Sequence, residues 1–311
     1  MKEIVVIDSK IPFIAGVFEP WCRVIYSDHI THEQAHAARV LVVRTRTQCN
    51  GELLRGSSVG FIATATIGTD HIDLDYCHDH GIVVQSAAGC NARAVAQWVF
   101  AALRSLGIKG GTLGIVGVGN VGRQVMAMAQ QRGFSLLLND PPRADSGESG
   151  FVELDYLLRH SDVVTLHTPL TLSTRALASE HFFAQMASGA VFLNSSRGEV
   201  VSEPALLCSP ISLMAIDVWC NEPYINIPLL ERATISTPHI AGYSARGKAR
   251  ATQMSVRAVA HWLGIEALSD FSIADGYELE SADSYDILAD TLQLKSHPEL
   301  FEELRGGYAY R

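Results

Sequence analysis

The segment Leu113-Gly-Ile-Val-Gly117-Val-Gly119-Asn-Val-Gly122 decides the fold of this chain. It begins as an apolar, strand-like run, and the residues from Val121 to Gln131 that follow it are compatible with a helix. In the turn, Gly117 allows a tight bend, Gly119 lets backbone approach a pyrophosphate, and Gly122 lets the helix pack closely on the sheet. The pattern predicts the strand, turn and helix of a dinucleotide-binding site.

An acidic residue follows at the spacing that such a site requires. Asp140 lies 23 residues after Gly117 and directly follows the apolar run from Ser135 to Asn139. A carboxylate there accepts a hydrogen bond from the ribose 2′-hydroxyl of NAD and repels the 2′-phosphate of NADP. The helix that opens near Asn120 presents N–H groups and a positive dipole end to the phosphates. NAD is therefore the predicted cofactor, although Arg143 offers a cation to a 2′-phosphate.

The composition is that of a globular protein. The chain has 311 residues, of which 48% are hydrophobic and 18% charged, and this length suggests about two domains. No apolar run approaches the length of a membrane span, and the N-terminus shows no signal peptide. Six cysteines without paired spacing indicate reduced thiols rather than disulfides or a zinc site. We expect a cytoplasmic protein with no membrane partner.

The negative charge is concentrated at the C-terminal end. The net charge is −9, and residues 265–311 contain eleven acidic residues against three basic ones. The rest of the chain is nearly neutral and has no basic patch of the kind that grips a phosphate backbone. The distribution argues against a nucleic-acid partner.

Short apolar runs alternate with helix-compatible stretches, which predicts an α/β fold with parallel sheets. The runs fall into two sets, and the second contains the glycine-rich turn. The predicted strands of the first set are Ile4 to Ile7, Val24 to Tyr26, Val40 to Arg44, Gly60 to Ala63 and Ile82 to Val84. Those of the second set are Leu113 to Val118, Ser135 to Asn139, Val163 to His167, Val191 to Asn194, Leu213 to Asp217 and Thr234 to Ser236. We expect a doubly wound Rossmann sheet domain, a second, smaller α/β substrate domain and a short C-terminal extension.

The domain boundaries follow from the two sets. Residues 1–89 are predicted to form the substrate domain, completed by a returning helix at 243–264. Residues 90–242 are predicted to form the NAD-binding domain, with a cleft between the two domains. Residues 265–311 are predicted to be an acidic segment that ends in two short helices.

Three polar segments follow strands of the second set and are the candidates for chemistry. They contain Arg197, Glu222 and His239. An arginine fork binds a carboxylate, a histidine moves a proton near neutral pH, and a glutamate orients the ring and stabilises the imidazolium. Each residue alone also fits a structural role in a surface ion pair or a loop. Their common position at the strand ends of one nucleotide-binding sheet favours a catalytic site.

These segments resemble the D-isomer-specific 2-hydroxyacid dehydrogenases. The matching motifs are Gly117-Val-Gly-Asn-Val-Gly122, Asn194-Ser-Ser-Arg-Gly198, Asp217-Val-Trp with Glu222-Pro223, and Pro238-His-Ile-Ala-Gly242. The resemblance implies that Arg197 anchors the substrate carboxylate and the C2 oxygen. It also implies that His239 takes the C2 hydroxyl proton and that Glu222 pairs with His239.

Longer strings resemble one branch of this family. They are Val43-Arg-Thr45, Ala63-Thr-Ala-Thr-Ile-Gly-Thr-Asp-His71, Ala88-Gly-Cys-Asn-Ala92, Asn139-Asp-Pro-Pro-Arg143 and Pro238-His-Ile-Ala-Gly-Tyr243. The branch implies NAD-dependent oxidation of 4-phospho-D-erythronate to 2-oxo-3-hydroxy-4-phosphobutanoate, in pyridoxal phosphate biosynthesis. It implies substrate contacts at Thr45, Thr66 and Tyr243. The implied cofactor contacts are Asn120, Val121, Asp140, Thr168, Asp217 and Gly242.

The C-terminal segment also resembles this branch, whose members carry a dimerisation domain there. Only part of such a domain is present in residues 265–311, so a homodimer is one expectation, and the shortened segment argues against the usual form of it. Two other functions stay open. One is a dehydrogenase for another D-2-hydroxy acid such as 3-phosphoglycerate, and the other is an NADH-responsive binding protein without catalysis.

Three further features have competing explanations. Arg44, Thr45 and Arg46 form a compact set of donors for a phosphate, but Arg44 also fits a structural role. The stretch from Asp70 to His80 is rich in metal-ligand residue types but lacks a known ligand spacing, so no metal is predicted. Cys90 is expected to pack rather than react, because no base is placed beside it.

Overall fold

The computed structural model describes residues 2–273 and 284–308, which divide into two compact units. Unit one consists of residues 2–91 and 244–273, and unit two of residues 92–243 and 284–308. Part of the predicted acidic segment, residues 274–283 and 309–311, lies outside the described residues.

Unit one contains a parallel sheet of five strands in the order β2-β1-β3-β4-β5. The central strands β3 and β4 have the sequences VLVV and FIAT, and all of their residues are buried. Uninterrupted apolar runs of this kind are typical of parallel strands that are covered on both faces. The strands are β1 (Ile4–Asp8), β2 (Arg23–Ser27), β3 (Val40–Val43), β4 (Phe61–Thr64) and β5 (Val83–Ser86). The first helices are α1 (His32–Ala37), α2 (Gly51–Leu54) and α3 (Leu74–Asp79).

A long helix returns to unit one from the distant part of the chain. This helix, which we call α11 (Ala245–Leu263), begins after Ser244, whose hydroxyl accepts a hydrogen bond from the N–H of Gly247. It ends at Gly264, where φ is 70°, a left-handed conformation that suits glycine. Its buried residues Val256 and Val259 pack into the apolar core that also contains strands β1 and β3.

Unit two contains a parallel sheet of six strands in the order β11-β10-β9-β8-β6-β7. The strands are β6 (Thr112–Val116), β7 (Ser135–Asn139), β8 (Val163–Leu166), β9 (Val191–Asn194), β10 (Met214–Ile216) and β11 (Ile235–Ser236). The helices up to β11 are α4 (Ala92–Ser105), α5 (Asn120–Gln131), α6 (Pro141–Asp145), α7 (Leu154–His160), α8 (Glu180–Gln185), α9 (Glu203–Cys208) and α10 (Ile227–Arg232).

Strand order reverses at β6, which lies between β7 and β8. In open α/β sheets, ligands bind outside the carboxyl ends of the strands at this switch point. The segments that leave β6 and β8 there begin at Gly117 and His167. The topology therefore puts the glycine-rich turn where a cofactor site is expected.

The two C-terminal helices, α12 (Ile287–Ser296) and α13 (Phe301–Gly306), pack onto unit two. Ile287, Leu294 and Phe301 are fully buried in its apolar cores. The hydroxyl of Thr291 accepts a hydrogen bond from the N–H of Ser236 in β11, at 3.2 Å. These contacts fix helix α12 beside strand β11 and anchor helix α13 in the core of unit two.

The predicted fold class is confirmed: both sheets are parallel, and helices alternate with strands. Every predicted strand is present, and their bounds differ from the prediction by two residues or fewer, as for Leu113 to Val118 against Thr112–Val116. Residues 2–273 and 284–308 include no helix with the length and apolar character that a membrane crossing needs.

Candidate active site

The side chains of His239 and Glu222 are in direct contact. Nδ1 of His239 lies 2.8 Å from Oε2 of Glu222. The His239 side chain is 29% exposed, whereas that of Glu222 is 16% exposed. Because the carboxylate holds Nδ1, the remaining nitrogen Nε2 is the one that can exchange a proton with a bound molecule.

The loop that carries His239 is held by the buried carboxylate of Asp217. Oδ1 of Asp217 accepts a hydrogen bond from the N–H of Ile240 at 2.8 Å, and both carboxylate oxygens accept from the N–H of Ala241 at 3.1 Å. The N–H of His239 donates to the carbonyl of Asp217 at 2.8 Å. His239 has φ of 57°, which is unusual for a residue with a side chain and occurs where the surroundings impose it.

The environment keeps Glu222 ionised. Burial of its carboxyl group opposes ionisation, yet the pKa of Glu222 is lowered. The charge and hydrogen bond of His239, the N–H of Trp219 and the charge of Arg305 together outweigh the burial. Oε1 of Glu222 accepts from that N–H at 3.0 Å. An ionised carboxylate in this position stabilises the protonated form of the imidazole.

Arg197 follows β9, the strand next to β10. The side-chain amide of Asn194 shapes its turn, since Oδ1 accepts from the N–H of Ser196 at 3.0 Å and Nδ2 donates to the carbonyl of Arg197 at 2.9 Å. A Cβ on Gly198 would lie 2.1 Å from the carbonyl carbon of Trp219. Only glycine fits there, so the Arg197 turn packs directly against the segment that leads to Glu222.

An arginine of the C-terminal helix α13 also contacts this pair. Nη1 of Arg305 lies 3.3 Å from Oε2 of Glu222, and Nε donates to the hydroxyl of Tyr243 at 3.4 Å. The ring of Tyr243 also meets that of Tyr308 edge to face, at 6.3 Å between centroids. The sequence had suggested Tyr243 but not Arg305, because 83 residues separate Arg305 from Glu222.

The glycine-rich turn has the geometry that the sequence predicts. Gly117 has φ of 88°, and a Cβ there would lie 2.8 Å from the carbonyl of His167. A Cβ on Gly122 would lie 2.1 Å from the carbonyl oxygen of Gly117. A Cβ on Gly119 would meet nothing within 4 Å, and no side chain caps helix α5. The N–H groups of the first helical residues, Asn120 to Gly122, are therefore available to a phosphate.

Buried polar atoms at the same sheet edge lack partners, and this observation tests whether a cofactor fits. Within the described residues, Nδ1 of His167, Oγ1 of Thr168 and Oγ of Ser195 are buried without a hydrogen-bond partner. Buried polar atoms normally have one, so a polar ligand fits here. Complete burial lowers the pKa of His167 to about 3, so its ring is neutral. The residues present suit a dinucleotide.

Asp140 binds the glycine-rich turn and begins helix α6. Its Oδ2 accepts from the N–H of Val118 at 2.8 Å, and its Oδ1 from the N–H of Arg143 at 3.3 Å. The guanidinium of Arg143 is bound to both carboxylate oxygens of Glu148, and its Nη1 donates to the carbonyl of Val118 at 2.7 Å. The guanidinium of Arg143, a candidate for binding a 2′-phosphate, is thus bound to Glu148 and Val118. This arrangement favours NAD over NADP.

In unit one, the predicted substrate residues follow the adjacent strands β3 and β4. The hydroxyl of Thr66 lies 2.5 Å from that of Thr64, which lies 3.1 Å from Nε2 of the buried His71. Thr45 directly follows Arg44, whose guanidinium forms a two-pronged pair with the buried Asp8 at 2.9 and 3.0 Å. The structure therefore gives Arg44 the structural contact that the sequence allowed.

The metal-like stretch has structural explanations. Asp73 begins helix α3 by accepting a hydrogen bond from the N–H of Tyr76 at 2.9 Å, and Cys77 is buried. Across the described ranges, no group of three or more His, Cys, Asp and Glu side chains could hold a metal ion. Burial raises the pKa of Cys90 to about 11, so its thiol is unreactive.

A nucleotide-binding parallel sheet with a His/Glu pair at its carboxyl edge is the arrangement of an NAD-dependent dehydrogenase. The model of the D-isomer specific 2-hydroxyacid dehydrogenase NAD-binding domain matches residues 84–241. The chain belongs to this family, and its cofactor is NAD. The resemblance seen in the sequence is thereby confirmed.

Two relatives cover nearly all of the chain. The erythronate-4-phosphate dehydrogenase of Bacteroides fragilis is 44% identical over 99% of this chain and 96% of its own length. That of Porphyromonas gingivalis is 35% identical over 98% of this chain and 92% of its own length. A glyoxylate reductase from Paecilomyes thermophila has a similar structure, with a TM-score of 0.72, 22% identity and coverage of 90% of this chain and 98% of its own. At that identity the likeness concerns the fold.

Proposed function

We propose that this chain catalyses the NAD-dependent oxidation of 4-phospho-D-erythronate to 2-oxo-3-hydroxy-4-phosphobutanoate. The observation that carries the proposal is the 2.8 Å contact between His239 and Glu222 at the carboxyl edge of the NAD-binding sheet. The names of the near-full-length relatives support this substrate. The product would serve pyridoxal phosphate biosynthesis.

Each catalytic candidate has a role that its chemistry allows. Nε2 of His239 takes the proton of the C2 hydroxyl group, and Glu222 stabilises the imidazolium that results. Arg197 binds the substrate carboxylate through its planar fork and holds the C2 oxygen. NAD, when bound, supplies the acceptor for the hydride from C2. The residues in contact with it are proposed to be Gly117, Gly119, Gly122 and the set Asn120, Val121, Asp140, Thr168, Asp217 and Gly242.

The substrate phosphate and hydroxyl groups require further donors. We assign them to Thr45 and Thr66 of unit one and to Tyr243 of unit two. Unit one is thus the proposed substrate domain and unit two the proposed NAD-binding domain. Because Arg44 is paired with Asp8, the hydroxyl of Thr45 is the better donor of the two for a phosphate oxygen.

The compartment and assembly complete the proposal. All six cysteines are unbridged, and four of them are buried, which supports a reducing compartment such as the cytoplasm. A homodimer is proposed because the C-terminal segment resembles a dimerisation domain, and the exposed Leu288 and Leu292 on helix α12 are candidates for its interface. Sedimentation equilibrium of the purified protein measures the assembly, and a monomer at all concentrations would exclude the dimer.

A single-turnover experiment tests the reaction. Purified protein and NAD are mixed with either 4-phospho-D-erythronate or 3-phosphoglycerate and a carbonyl trap, and NADH is followed by absorbance. We expect a signal with the four-carbon substrate alone. A signal only with 3-phosphoglycerate would retain the reaction class and replace the substrate. Silence with both, while NAD still binds, would contradict the proposed reaction.

A further inference from the structure

We propose that Arg305, on the C-terminal helix α13, is a positioning residue for the proposed catalytic pair. Arg305 bonds to both Glu222 and Tyr243, and its positive charge reduces the stabilisation that Glu222 gives to the protonated ring of His239. The inference rests on the proposed function, because it assigns to His239 the task of accepting a proton. It gives the C-terminal segment a role in the active site of its own chain.

The geometry places two side-chain nitrogens, one from a histidine and one from an arginine, on one carboxylate oxygen. Oε2 of Glu222 is 2.8 Å from Nδ1 of His239 and 3.3 Å from Nη1 of Arg305. The second carboxylate oxygen is already occupied by the N–H of Trp219. His239 and Arg305 therefore compete for the same negative charge, and the Arg305 side chain is only 22% exposed. At this burial, solvent screens the competition only in part.

The competition matters for proton transfer. A base that accepts a proton must itself be unprotonated before the reaction. An unopposed Glu222 would favour the imidazolium form of His239 before the substrate arrives. Arg305 offsets this preference, because its fixed positive charge repels a second one on the adjacent ring. Once the proton has been transferred, Glu222 is still in place to stabilise it.

The ionisable groups around this cluster come from three segments of unit two. Facing His239 are Glu222 and Asp217, and burial raises the pKa of Asp217 although the charge of a protonated His239 would oppose that rise. Facing Arg305 are Glu222, Glu302 at 3.4 Å on the same helix, and the hydroxyl of Tyr243. Burial opposes the charge on Arg305, but Tyr243, Glu222 and Glu302 outweigh it and raise its pKa. The guanidinium is thus charged at every pH used for an assay.

Helix α13 is anchored well enough to present Arg305 in one place. Phe301 is fully buried, and Leu304 packs against the same apolar core. The side chain of Arg305 bridges Glu222 and Tyr243 through different nitrogens, Nη1 and Nε. A lysine keeps the charge but has one nitrogen, so it cannot make both contacts with this geometry. The two functions of Arg305 can therefore be separated by substitution.

The test compares Arg305→Gln and Arg305→Met, which remove the charge, with Arg305→Lys, which keeps it. The primary readout is the pH at which the His239 ring titrates in the protein without ligands, followed by NMR. Its signal is identified among those of the 12 histidines by its absence in His239→Asn. We expect the neutral variants to move this midpoint upward by about one pH unit and Arg305→Lys to move it by a few tenths.

Activity provides the second readout. The acid limb of the kcat/KM profile should move up by a similar amount in both neutral variants, because ionised Glu222 and neutral His239 are both required. In Arg305→Lys the limb should move by only a few tenths of a pH unit, while KM for the substrate rises several-fold through the loss of the Tyr243 contact. The matched control is Arg159→Gln, which removes an exposed arginine bonded to Gln185 of the same unit and should change neither readout.

The outcomes separate this proposal from the proposed function. An unchanged titration midpoint in folded Arg305→Gln or Arg305→Met, with folding verified by circular dichroism, overturns the role of Arg305. An equal shift in Arg305→Lys also overturns it, because charge would not be the cause. If the midpoint moves as expected but neither substrate yields NADH, Arg305 keeps its role and the proposed reaction is wrong.

Discussion

The hydroxyl of Thr237 donates a 2.5 Å hydrogen bond to the fully buried carboxylate of Asp217. The same hydroxyl accepts from the indole N–H of Trp98 at 3.0 Å, and the indole N–H of Trp219 donates to the carbonyl of Thr237. Thr237 thereby links helix α4 to the residue that holds the His239 loop. A buried network of this kind rigidifies the loop and holds the backbone of His239 at its positive φ.

We expect Thr237→Val to destabilise the protein by about 1–3 kcal/mol, because it leaves the N–H of Trp98 and one acceptor position of Asp217 unsatisfied. Urea unfolding measures the change. Thr171→Val, at an exposed threonine, is the control and should cost much less. Equal stability of the two variants would show that the buried network contributes nothing.

Gly117→Ala tests the close approach of the glycine-rich turn to strand β8. Its Cβ would lie 2.8 Å from the backbone of His167, in addition to the strain of φ at 88°. Gly147→Ala is a matched control, since φ is 89° and nothing lies within 4 Å. We expect Gly147→Ala to cost about 1–2 kcal/mol and Gly117→Ala about 1–3 kcal/mol more, with weaker NAD binding. Chemical unfolding and calorimetric titration measure both, and similar results for the two variants would contradict the packing argument.

The sequence predicted the architecture because local signals determine it. Strand β9, Val191–Asn194, has the predicted bounds, since three apolar residues end at a polar turn that Asn194 stabilises. The glycine-rich turn could also be predicted from the sequence, because its backbone conformation and its close contacts require glycine at fixed spacings. The sequence also suggested that a glutamate lies behind His239, and the structure contains that contact with Glu222.

Pairings between distant segments could not be obtained in this way. The Trp98 to Thr237 hydrogen bond spans 139 residues, and the Arg305 to Glu222 pair spans 83. Periodicity shows which face of α13 is apolar, but it does not show which strand end that helix reaches. Likewise, the sequence does not show that Arg44 pairs with Asp8, because the two residues are 36 positions apart. Such contacts depend on packing and require the folded structure.

Asp140→Ala tests cofactor selection. Removal of the carboxylate eliminates its repulsion of a 2′-phosphate and its proposed hydrogen bond to the ribose. In both interactions the charged group is the carboxylate of Asp140. We expect the ratio of kcat/KM for NADP to that for NAD to rise by about tenfold or more. Asp145→Ala, at an exposed aspartate on the same helix, should leave the ratio unchanged. An unchanged ratio in Asp140→Ala would refute the assignment of Asp140 as the selecting residue.

Glu222→Gln should reveal the pH dependence that its lowered pKa implies. A carboxyl group whose pKa is lower in the folded than in the unfolded state stabilises the protein fully above the unfolded value. This contribution is lost as the pH falls through the folded value. The difference in unfolding free energy between wild type and Glu222→Gln should thus be about 1–3 kcal/mol at pH 7 and shrink as the pH falls below 4.5, the ordinary pKa of a glutamate.

Denaturant unfolding at pH 7, 5 and 4 measures that difference. Glu148→Gln is a control, since Glu148 is also paired with an arginine but is exposed to solvent. Solvent screening should make its effect smaller at each pH. A difference for Glu222→Gln that stays constant from pH 7 to pH 4 would show that its ionisation is not linked to folding.

His239→Asn distinguishes an enzyme from an NADH-responsive binding protein of the same fold. Asparagine can keep a hydrogen bond to Glu222 but cannot accept the hydroxyl proton, so kcat should fall by about 10²–10⁴-fold while the Kd for NAD changes little. His181→Asn removes an exposed histidine paired with Asp155 and should retain full activity. Steady-state kinetics and calorimetry measure the two quantities. Turnover that survives in His239→Asn would mean that another group accepts the proton, because asparagine has no basic nitrogen.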